Sequence, residues 1–251
     1  MKLLIDLGNS RCKYAVMQQD GSMEYGIQNY SPFGKLYSVK SLCDKFGDTE
    51  GVIICSVLSE KMNNEIKTTL VEKDGRDVFF LQPNENSFGI DLKYNDPSTM
   101  GADRLAALIS AHEKYLGNSC IIDCGTAVTV DFLNAKGVHQ GGVILPGYKT
   151  MGKALLANTK IKIKQASEGF NLLANSTEAA IYTGCVSAVV GGIEYVVNKS
   201  TSDYDAFEQI ILTGGASEKV NEYFSKSFQE LPLLLDANLL LDGLKVVAER
   251  T

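Results

Sequence analysis

Short runs of apolar residues alternate with polar ones along the chain, and this pattern predicts a mixed α/β protein. Residues 3–5 and 120–122 are two apolar runs of the same design, each followed by an aspartate, a glycine turn and a second alternating run. Each therefore predicts a strand, a tight turn and a returning strand. Further strands are expected over residues 52–57, 78–81 and 210–213, a short strand with a Gly/Pro turn within residues 137–147, and helices over residues 60–71, 103–115 and 177–198.

The two glycine turns share a pattern: Asp6-Leu7-Gly8-Asn9-Ser10 and Asp123-Cys124-Gly125-Thr126-Ala127. Glycine lets a turn backbone approach a ligand closely, and successive backbone N–H groups with nearby hydroxyl or amide groups suit a phosphate. The aspartate before each turn can hold a metal ion against that phosphate, and Lys13 on the returning strand can point back at it. A single such turn is common in plain hairpins. Two copies favour a duplicated protein that grips a nucleotide between its halves.

Composition narrows the class of protein. The chain has 251 residues, of which 45% are hydrophobic, enough for one large or two modest cores. Its net charge of −6 argues against a nucleic-acid-binding surface. The six scattered cysteines form no metal-binding or disulfide pattern and are expected to be buried free thiols.

Neither export nor a membrane span is expected. The N-terminal apolar run reaches Asp6 too soon for a signal sequence. The longest uncharged stretch, residues 179–193, is shorter than the roughly 20 residues that cross a bilayer, so it is expected to be a buried helix. The glycines of this helix allow another element to pack closely against it, which fits either a dimer contact or a domain core.

No flexible linker marks a domain boundary. Because the second hairpin restarts the pattern, we expect an N-terminal domain over residues 1–115 and a C-terminal domain over residues 116–251. Residues 18–30 are interpreted as a variable polar region. A third glycine turn, Gly214-Gly215, follows the strand expected at 210–213; it is either a tight turn only or a place where a sugar or base approaches the backbone.

Gly101-Ala102-Asp103-Arg104 is the second distinctive cluster, with an acidic and a basic residue at the start of a helix. Asp103 can simply stabilise the helix N-terminus, which contributes roughly 1 kcal/mol. Alternatively, Asp103 accepts a proton from a substrate hydroxyl while Arg104 binds an anionic group of the same substrate. Phosphoryl transfer needs little more than such a base, positioning and charge neutralisation.

Five motifs in one order carry a resemblance to a known family. They are Asp6-Leu7-Gly8-Asn9-Ser10-Arg11-Cys12-Lys13, Gly101-Ala102-Asp103-Arg104, Asp123-Cys124-Gly125-Thr126-Ala127, Gly141-Gly142-Val143-Ile144-Leu145-Pro146-Gly147 and Ser176-Thr177. The sequence closely resembles type III pantothenate kinases from end to end. The resemblance implies an α/β fold with two duplicated ribonuclease-H-like domains of the acetate kinase, sugar kinase, Hsp70 and actin superfamily. It also implies a cytoplasmic homodimer that transfers the γ-phosphoryl group of ATP to the primary hydroxyl of pantothenate, the first step of coenzyme A biosynthesis.

The resemblance also assigns roles to residues. Asp6 to Lys13 form the first ATP-phosphate loop, with Asp6 near magnesium, and Thr126 contacts ATP from the second loop. Asp123 resembles the family's ligand for potassium or ammonium. Residues 101–104 resemble the pantothenate site, with Asp103 as proton acceptor and Arg104 as a substrate contact, and Tyr94 and Thr177 match the remaining substrate contacts. Ser10 stands where threonine is usual, which keeps the hydroxyl.

Two other functions compete with this one. A different phosphotransferase or phosphatase of the superfamily would act on a sugar, a carboxylate or polyphosphate, and the cluster at residues 101–104 speaks against it. A nucleotide-sensing regulator without catalysis is the other alternative. The presence of Asp103, Asp6, Asp123 and Lys13 disfavours that regulator, and the acidic charge disfavours direct DNA binding.

Overall fold

The computed structural model describes residues 1–84, 86–162, 169–203 and 207–251. The strands are β1 (Lys2–Leu7), β2 (Arg11–Met17), β3 (Met23–Asn29), β4 (Gly51–Ser56), β5 (Asp77–Phe80), β6 (Asn86–Ser87), β7 (Ile90–Leu92), β8 (Ser119–Cys124), β9 (Ala127–Leu133), β10 (Val138–Pro146), β11 (Gln209–Thr213) and β12 (Leu233–Leu235). The helices are α1 (Lys35–Lys45), α2 (Glu60–Thr68), α3 (Ala102–Lys114), α4 (Tyr148–Ala157), α5 (Thr177–Asp203), α6 (Ser217–Asn221), α7 (Lys226–Gln229) and α8 (Leu239–Arg250), with a π-helical turn at Thr69–Lys73 and a 3₁₀ turn at Pro97–Thr99.

The chain forms two compact units. The first contains Met1–Leu116, Lys136–His139 and Asn238–Thr251, and the second contains Gly117–Ala135 and Gln140–Ala237. The sequence division into residues 1–115 and 116–251 differs from these units in the placement of Leu116 and of two short segments, 136–139 and 238–251.

The first unit is built on a sheet with strand order β3-β2-β1-β4-β5. β1 pairs antiparallel with β2 and parallel with β4. Alternate residues of β1, beginning with Leu3, pack in one core cluster with α1, α2 and their neighbours. The intervening residues, among them Leu4 and Asp6, face the other side because successive side chains of a strand alternate. That side is covered by α8 and α3, which contact each other and β4.

Helix α8 belongs to the first unit because it packs against α3. A Cβ on Gly243 would overlap the backbone of Ala106, so only glycine permits this approach of the two helices. Lys2 on β1 donates a hydrogen bond to the carbonyl of Ala248, which ties the same helix to the sheet. The order of elements along the chain carries no signal that the last helix returns to the first unit.

The second unit repeats the strand order of the first. Its sheet runs β12-β11-β8-β9-β10, with β8 antiparallel to β9 and parallel to β11. The position of β8 therefore corresponds to that of β1, and β11 corresponds to β4. The two units therefore share one strand order, and the leading strand of each ends near an aspartate. This is the duplicated α/β architecture that the sequence predicts.

Helix α5 provides much of the second core. Val186, Val189, Ile193 and Val197 pack with β8 and β11 in one buried cluster. The segment Thr177–Ser200 is long and apolar enough to cross a membrane by length and composition, although 39% of its most apolar window is buried. The uncharged stretch of residues 179–193 is one part of this longer helix, and the packing of its apolar side on the sheet agrees with the expectation of a buried helix.

One strand of the first sheet lies in the supposed variable region. Residues 18–30 include β3, which pairs antiparallel with β2 over its whole length. Only Met23, Gly26 and Gln28 of this edge strand are partly covered, and its polar residues make the strand hard to recognise. Met23, Tyr25 and Ile27 stand at alternate positions and are the signal that would have identified it.

Candidate active site

Asp6 and Lys13 stand together at the end of the first hairpin. Asp6 of β1 lies directly opposite Lys13 of β2, so both side chains point to the same face of the sheet. This face carries α3 and α8, and Asp6 is only 8% exposed. An acidic and a basic residue therefore stand opposite each other next to the glycine turn, as the first phosphate loop requires.

The turn itself exposes Asn9 and Ser10. A Cβ on Gly8 would lie 3.1 Å from the carbonyl oxygen of Arg11, so the chain turns back tightly here. The hydroxyl of Tyr30 donates a hydrogen bond of 2.7 Å to the carbonyl oxygen of Gly8. Sequence reasoning missed Tyr30, because nothing in the local pattern indicates which side chain reaches this turn.

Leu7 and Cys12 point away from the face of Asp6. Both side chains are buried in the core cluster under α1 and α2. Burial, together with the nearby charge of Asp6 and the Cys43 thiol, raises the pKa of Cys12 to about 12. Its thiol therefore stays neutral, and these two residues can offer a phosphate only their backbone groups.

Gly101 to Arg104 begin α3. A Cβ on Gly101 would overlap the carboxylate of Asp103, so glycine leaves room for that side chain. Asp103 Oδ1 accepts the backbone N–H of Arg104 at 2.8 Å. Asp103 thus stabilises the start of α3, as the simpler of the two interpretations of the sequence predicts. The same contact fixes its carboxylate at the first turn of the helix.

Arg104 and Tyr94 are brought together, as the resemblance implies. Arg104 is only 6% exposed. Its Nη1 donates a hydrogen bond of 2.6 Å to the hydroxyl of Tyr94, and its Cζ lies 5.6 Å from the centre of that ring. This guanidinium and phenol, with Asp103 as the neighbouring residue of the same helix turn, suit an anionic substrate that also carries a hydroxyl.

His139 supports the ring of Tyr94. The two rings stack with centroids 5.8 Å apart and planes 26° apart, and His139 is fully buried. His139 reaches this position because it pairs with Leu92 across β10 and β7, two residues before Tyr94. Sequence reasoning did not identify His139, since no local pattern links it to Tyr94.

The second loop is held by two glycines of its own unit. A Cβ on Gly214, which has φ of 93°, would overlap the Asp123 carboxylate and lie 2.6 Å from the Cys124 carbonyl oxygen. The same carbonyl accepts the N–H of Ala216 at 2.9 Å. The turn at 214–216 therefore packs directly on the second loop, and Asp123 lies opposite Thr213 in the parallel pairing of β8 and β11.

Gly147 holds the other side of the second loop. Its N–H donates to the carbonyl oxygen of Thr126 at 3.0 Å, and the hydroxyl of Thr150 donates to the same oxygen at 2.6 Å. A Cβ on Gly147 would lie 2.5 Å from the Gly125 carbonyl oxygen. The glycine motif that ends at Gly147 thus fixes the backbone of Thr126 and leaves its exposed side chain at the surface.

Thr177 lies apart from the other predicted substrate contacts along the chain. It is the first residue of α5 and is exposed. It belongs to the second unit, whereas Tyr94, Asp103 and Arg104 belong to the first.

The residues present fit a nucleotide-bound magnesium ion. Among the residues that the structure describes, no group of three or more His, Cys, Asp or Glu side chains could hold a metal ion. Mg²⁺ in phosphate-transfer sites is held by one or two carboxylates together with phosphates and water. The buried carboxylate of Asp6 beside the first glycine turn is a donor of that kind.

Two units of one strand order, each with an aspartate and a glycine turn on its leading hairpin, define a protein of the duplicated, ribonuclease-H-like α/β fold class. Over its full length the fold is similar to a putative 2-dehydro-3-deoxygalactonokinase from Sinorhizobium meliloti, with a TM-score of 0.67, 13% identity and coverage of 100% of this chain and 99% of that one. It is also similar to a putative Baf family transcriptional activator from Campylobacter jejuni, with a TM-score of 0.60, 23% identity and coverage of 99% and 98%. These likenesses confirm the predicted fold class.

The chain belongs to the type III pantothenate kinase family, whose family model matches residues 2–199. A type III pantothenate kinase of Nitrosococcus oceani is 31% identical over 258 residues, covering 100% of this chain and 95% of the relative. That of Fervidobacterium nodosum is 35% identical over 227 residues, covering 86% of each chain. The resemblance drawn from the five motifs is confirmed, and with it the class of enzyme: a kinase of coenzyme A biosynthesis.

Proposed function

We propose that this kinase transfers the γ-phosphoryl group of ATP to the primary hydroxyl of pantothenate and yields 4′-phosphopantothenate. The observation that carries the proposal is the cluster at the start of α3. The Asp103 carboxylate is held by the backbone N–H of Arg104, the next residue of the same helix turn, and the buried guanidinium of Arg104 is bonded to Tyr94. Pantothenate has one primary hydroxyl and one carboxylate, the two groups that this cluster would recognise.

Asp103 takes the role of general base. Its carboxylate accepts the hydroxyl proton of pantothenate as that oxygen attacks the γ-phosphorus of ATP. The bond from the γ-phosphorus to the bridging oxygen breaks, and ADP leaves. Arg104, steadied by Tyr94, binds the carboxylate of pantothenate and so positions the hydroxyl for attack.

Each hairpin contributes a group that neutralises the negative charge of the substrates, either a lysine or an aspartate that would hold a cation. Lys13 lies beside Asp6 and neutralises charge on the ATP phosphates, while the N–H groups of the turn at Gly8 to Ser10 bind phosphate oxygens. Asp6 would hold magnesium, which would supply positive charge against the ATP phosphates. We assign potassium or ammonium to Asp123, whose carboxylate lies against Gly214 and near Gly125 of the second loop.

We also propose that the enzyme is a homodimer joined by the outer face of α5. That face presents Gly184, Ala188 and Gly191, and Tyr195 on it is 70% exposed. Leu172 and Leu173, 76% and 88% exposed, extend the surface, because Asn171 is bonded to Thr183 of the helix. An exposed apolar surface of this kind is typical of a protein interface.

An Ala188→Glu substitution is expected to produce monomers, because it places a charge at the centre of this face. Sedimentation analysis of the variant measures the change. The matched control is Asn64→Glu on the exposed side of α2, which should sediment as the unmodified protein does. An Ala188→Glu protein that remains a dimer would place the interface elsewhere.

The cytoplasm is the proposed location. The six cysteines are all free and buried, and such thiols persist where the redox balance is reducing. ATP, the phosphoryl donor of the proposed reaction, is drawn from the same compartment.

A coupled ADP-release assay tests the function and the choice of cation. We expect ADP release with ATP and magnesium to depend on pantothenate, and to be faster in potassium than in sodium buffer. Equal rates in the two buffers would remove the role given to Asp123. No pantothenate-dependent release in either buffer would favour the alternatives, a kinase for another acceptor or a nucleotide-sensing regulator.

A further inference from the structure

Tyr30 connects the first phosphate turn to a part of the fold that takes no part in the chemistry. Its ring packs against the core cluster under α1 and α2, on the side of the sheet opposite Asp6. From there its hydroxyl reaches the carbonyl oxygen of Gly8 at 2.7 Å. The turn is therefore held from the side that faces away from Asp6 and Lys13.

The position of Tyr30 is itself fixed by α1. The next residue, Ser31, donates its N–H to the hydroxyl oxygen of Ser38 at 2.8 Å, and that hydroxyl donates to the carbonyl of Gly34 at 3.0 Å. Ser38 is buried in α1. The Lys35 ammonium lies 5.0 Å from the centre of the Tyr30 ring. These contacts restrict the movement of the Tyr30 hydroxyl away from the Gly8 carbonyl oxygen.

The orientation of the peptide follows from its planarity. In a trans peptide the C=O and N–H groups point in opposite directions. Because Tyr30 draws the Gly8 carbonyl towards the α1 and α2 side, the N–H of Asn9 is turned towards the side that carries Asp6. That is the side on which a phosphate held by Asp6 and Lys13 would lie.

We propose that Tyr30 is a positioning residue for ATP: its hydroxyl holds the Gly8–Asn9 peptide with the Asn9 N–H directed at the nucleotide phosphates. The inference rests on the proposed function only in taking ATP as the donor. Burial, with the neighbouring Cys12 and Asp6, raises the pKa of Tyr30, so its hydroxyl remains a proton donor across the working pH range. Preorganised backbone donors of this type strengthen phosphate binding without a reorganisation cost.

Tyr30→Phe tests the proposal, because it removes the hydroxyl and keeps the ring in the core. We expect about a two- to tenfold loss of affinity for a non-hydrolysable ATP analogue by titration calorimetry, and a similar fall in kcat/KM for ATP, the range expected for the loss of one hydrogen bond. The KM for pantothenate and the affinity for adenosine, which has no phosphate, should stay as in the unmodified enzyme.

The matched control is Tyr37→Phe, which removes the same hydroxyl from an exposed ring of α1 and should bind all ligands normally. A Tyr30→Phe protein with normal ATP-analogue affinity overturns the proposal. So does a variant that loses affinity equally for the analogue, adenosine and pantothenate, since that result describes general damage to the fold. The binding measurement needs no acceptor, so it is independent of whether the unmodified enzyme phosphorylates pantothenate.

Discussion

Asp103→Asn should lower the turnover number by about two to four orders of magnitude, the range expected for loss of a general base. Asparagine keeps an oxygen at the position of Oδ1, so the 2.8 Å bond to the Arg104 N–H can persist and α3 can begin as before. What the variant loses is the negative charge that accepts the proton. Steady-state kinetics gives the turnover number, and titration calorimetry should show the affinities for ATP and pantothenate largely intact.

The control for this variant is Asp48→Asn, the same substitution at an exposed position after α1, which should retain full turnover. Full activity of Asp103→Asn would remove Asp103 from the mechanism and leave it only its contact with the helix start. Because substrate affinities are measured separately, a loss of activity caused by misfolding would also be recognised. The experiment therefore separates the two interpretations that the sequence leaves open for Asp103.

The two leading hairpins could be predicted from sequence because all their signals are local. An apolar run, an aspartate, a glycine turn and a second apolar run lie within about a dozen residues, and the structure forms β1–β2 and β8–β9 from them. The start of α3 is local in the same sense, since Gly101 and Asp103 meet within one turn of helix. Motifs of this kind carry both the fold class and the family.

Contacts between distant segments could not be predicted in this way. Tyr30 reaches Gly8, and His139 stacks on Tyr94, across 22 and 45 positions of the chain respectively. No residue pattern marks either partner. Helix α8 returns to the first unit by packing on α3 and β1, where Gly243 fits against Ala106, and this match of surfaces has no local signature in the sequence.

The roles assigned to Asp123 and Thr126 remain predictions, although their surroundings now have a physical description. Asp123, Cys124 and Thr126 are each contacted by residues that follow later in the second unit: Gly214, Ala216 and Gly147. The second loop is thus shaped by packing from both sides. Its geometry should be more sensitive to those glycines than to the exposed side chains of the loop itself.

Gly214→Ala should therefore damage both stability and catalysis. At φ of 93° an alanine is strained, and its Cβ would also overlap the Asp123 carboxylate and crowd the Cys124 carbonyl. Strain of this kind costs about 1–3 kcal/mol, and the clash with backbone adds to it. We expect the free energy of unfolding in urea to fall by about 2–4 kcal/mol. Turnover in potassium should fall at least about tenfold, because a shift of even 1 Å in a positioned group can cost that much.

Gly152→Ala is the matched control in the same unit. Gly152 lies within α4, and an added Cβ there would meet its nearest neighbour, a methyl group of Ile181, at 3.8 Å, an ordinary contact. Alanine favours helix more than glycine does by about 1 kcal/mol, so this variant should be as stable as the unmodified protein or slightly more so. If Gly214→Ala unfolded at the same urea concentration as Gly152→Ala, the turn at Gly214 would not hold the second loop. If it lost stability but kept full potassium-dependent turnover, the Asp123 carboxylate would have no part in the reaction, because that carboxylate is the group which the new Cβ displaces.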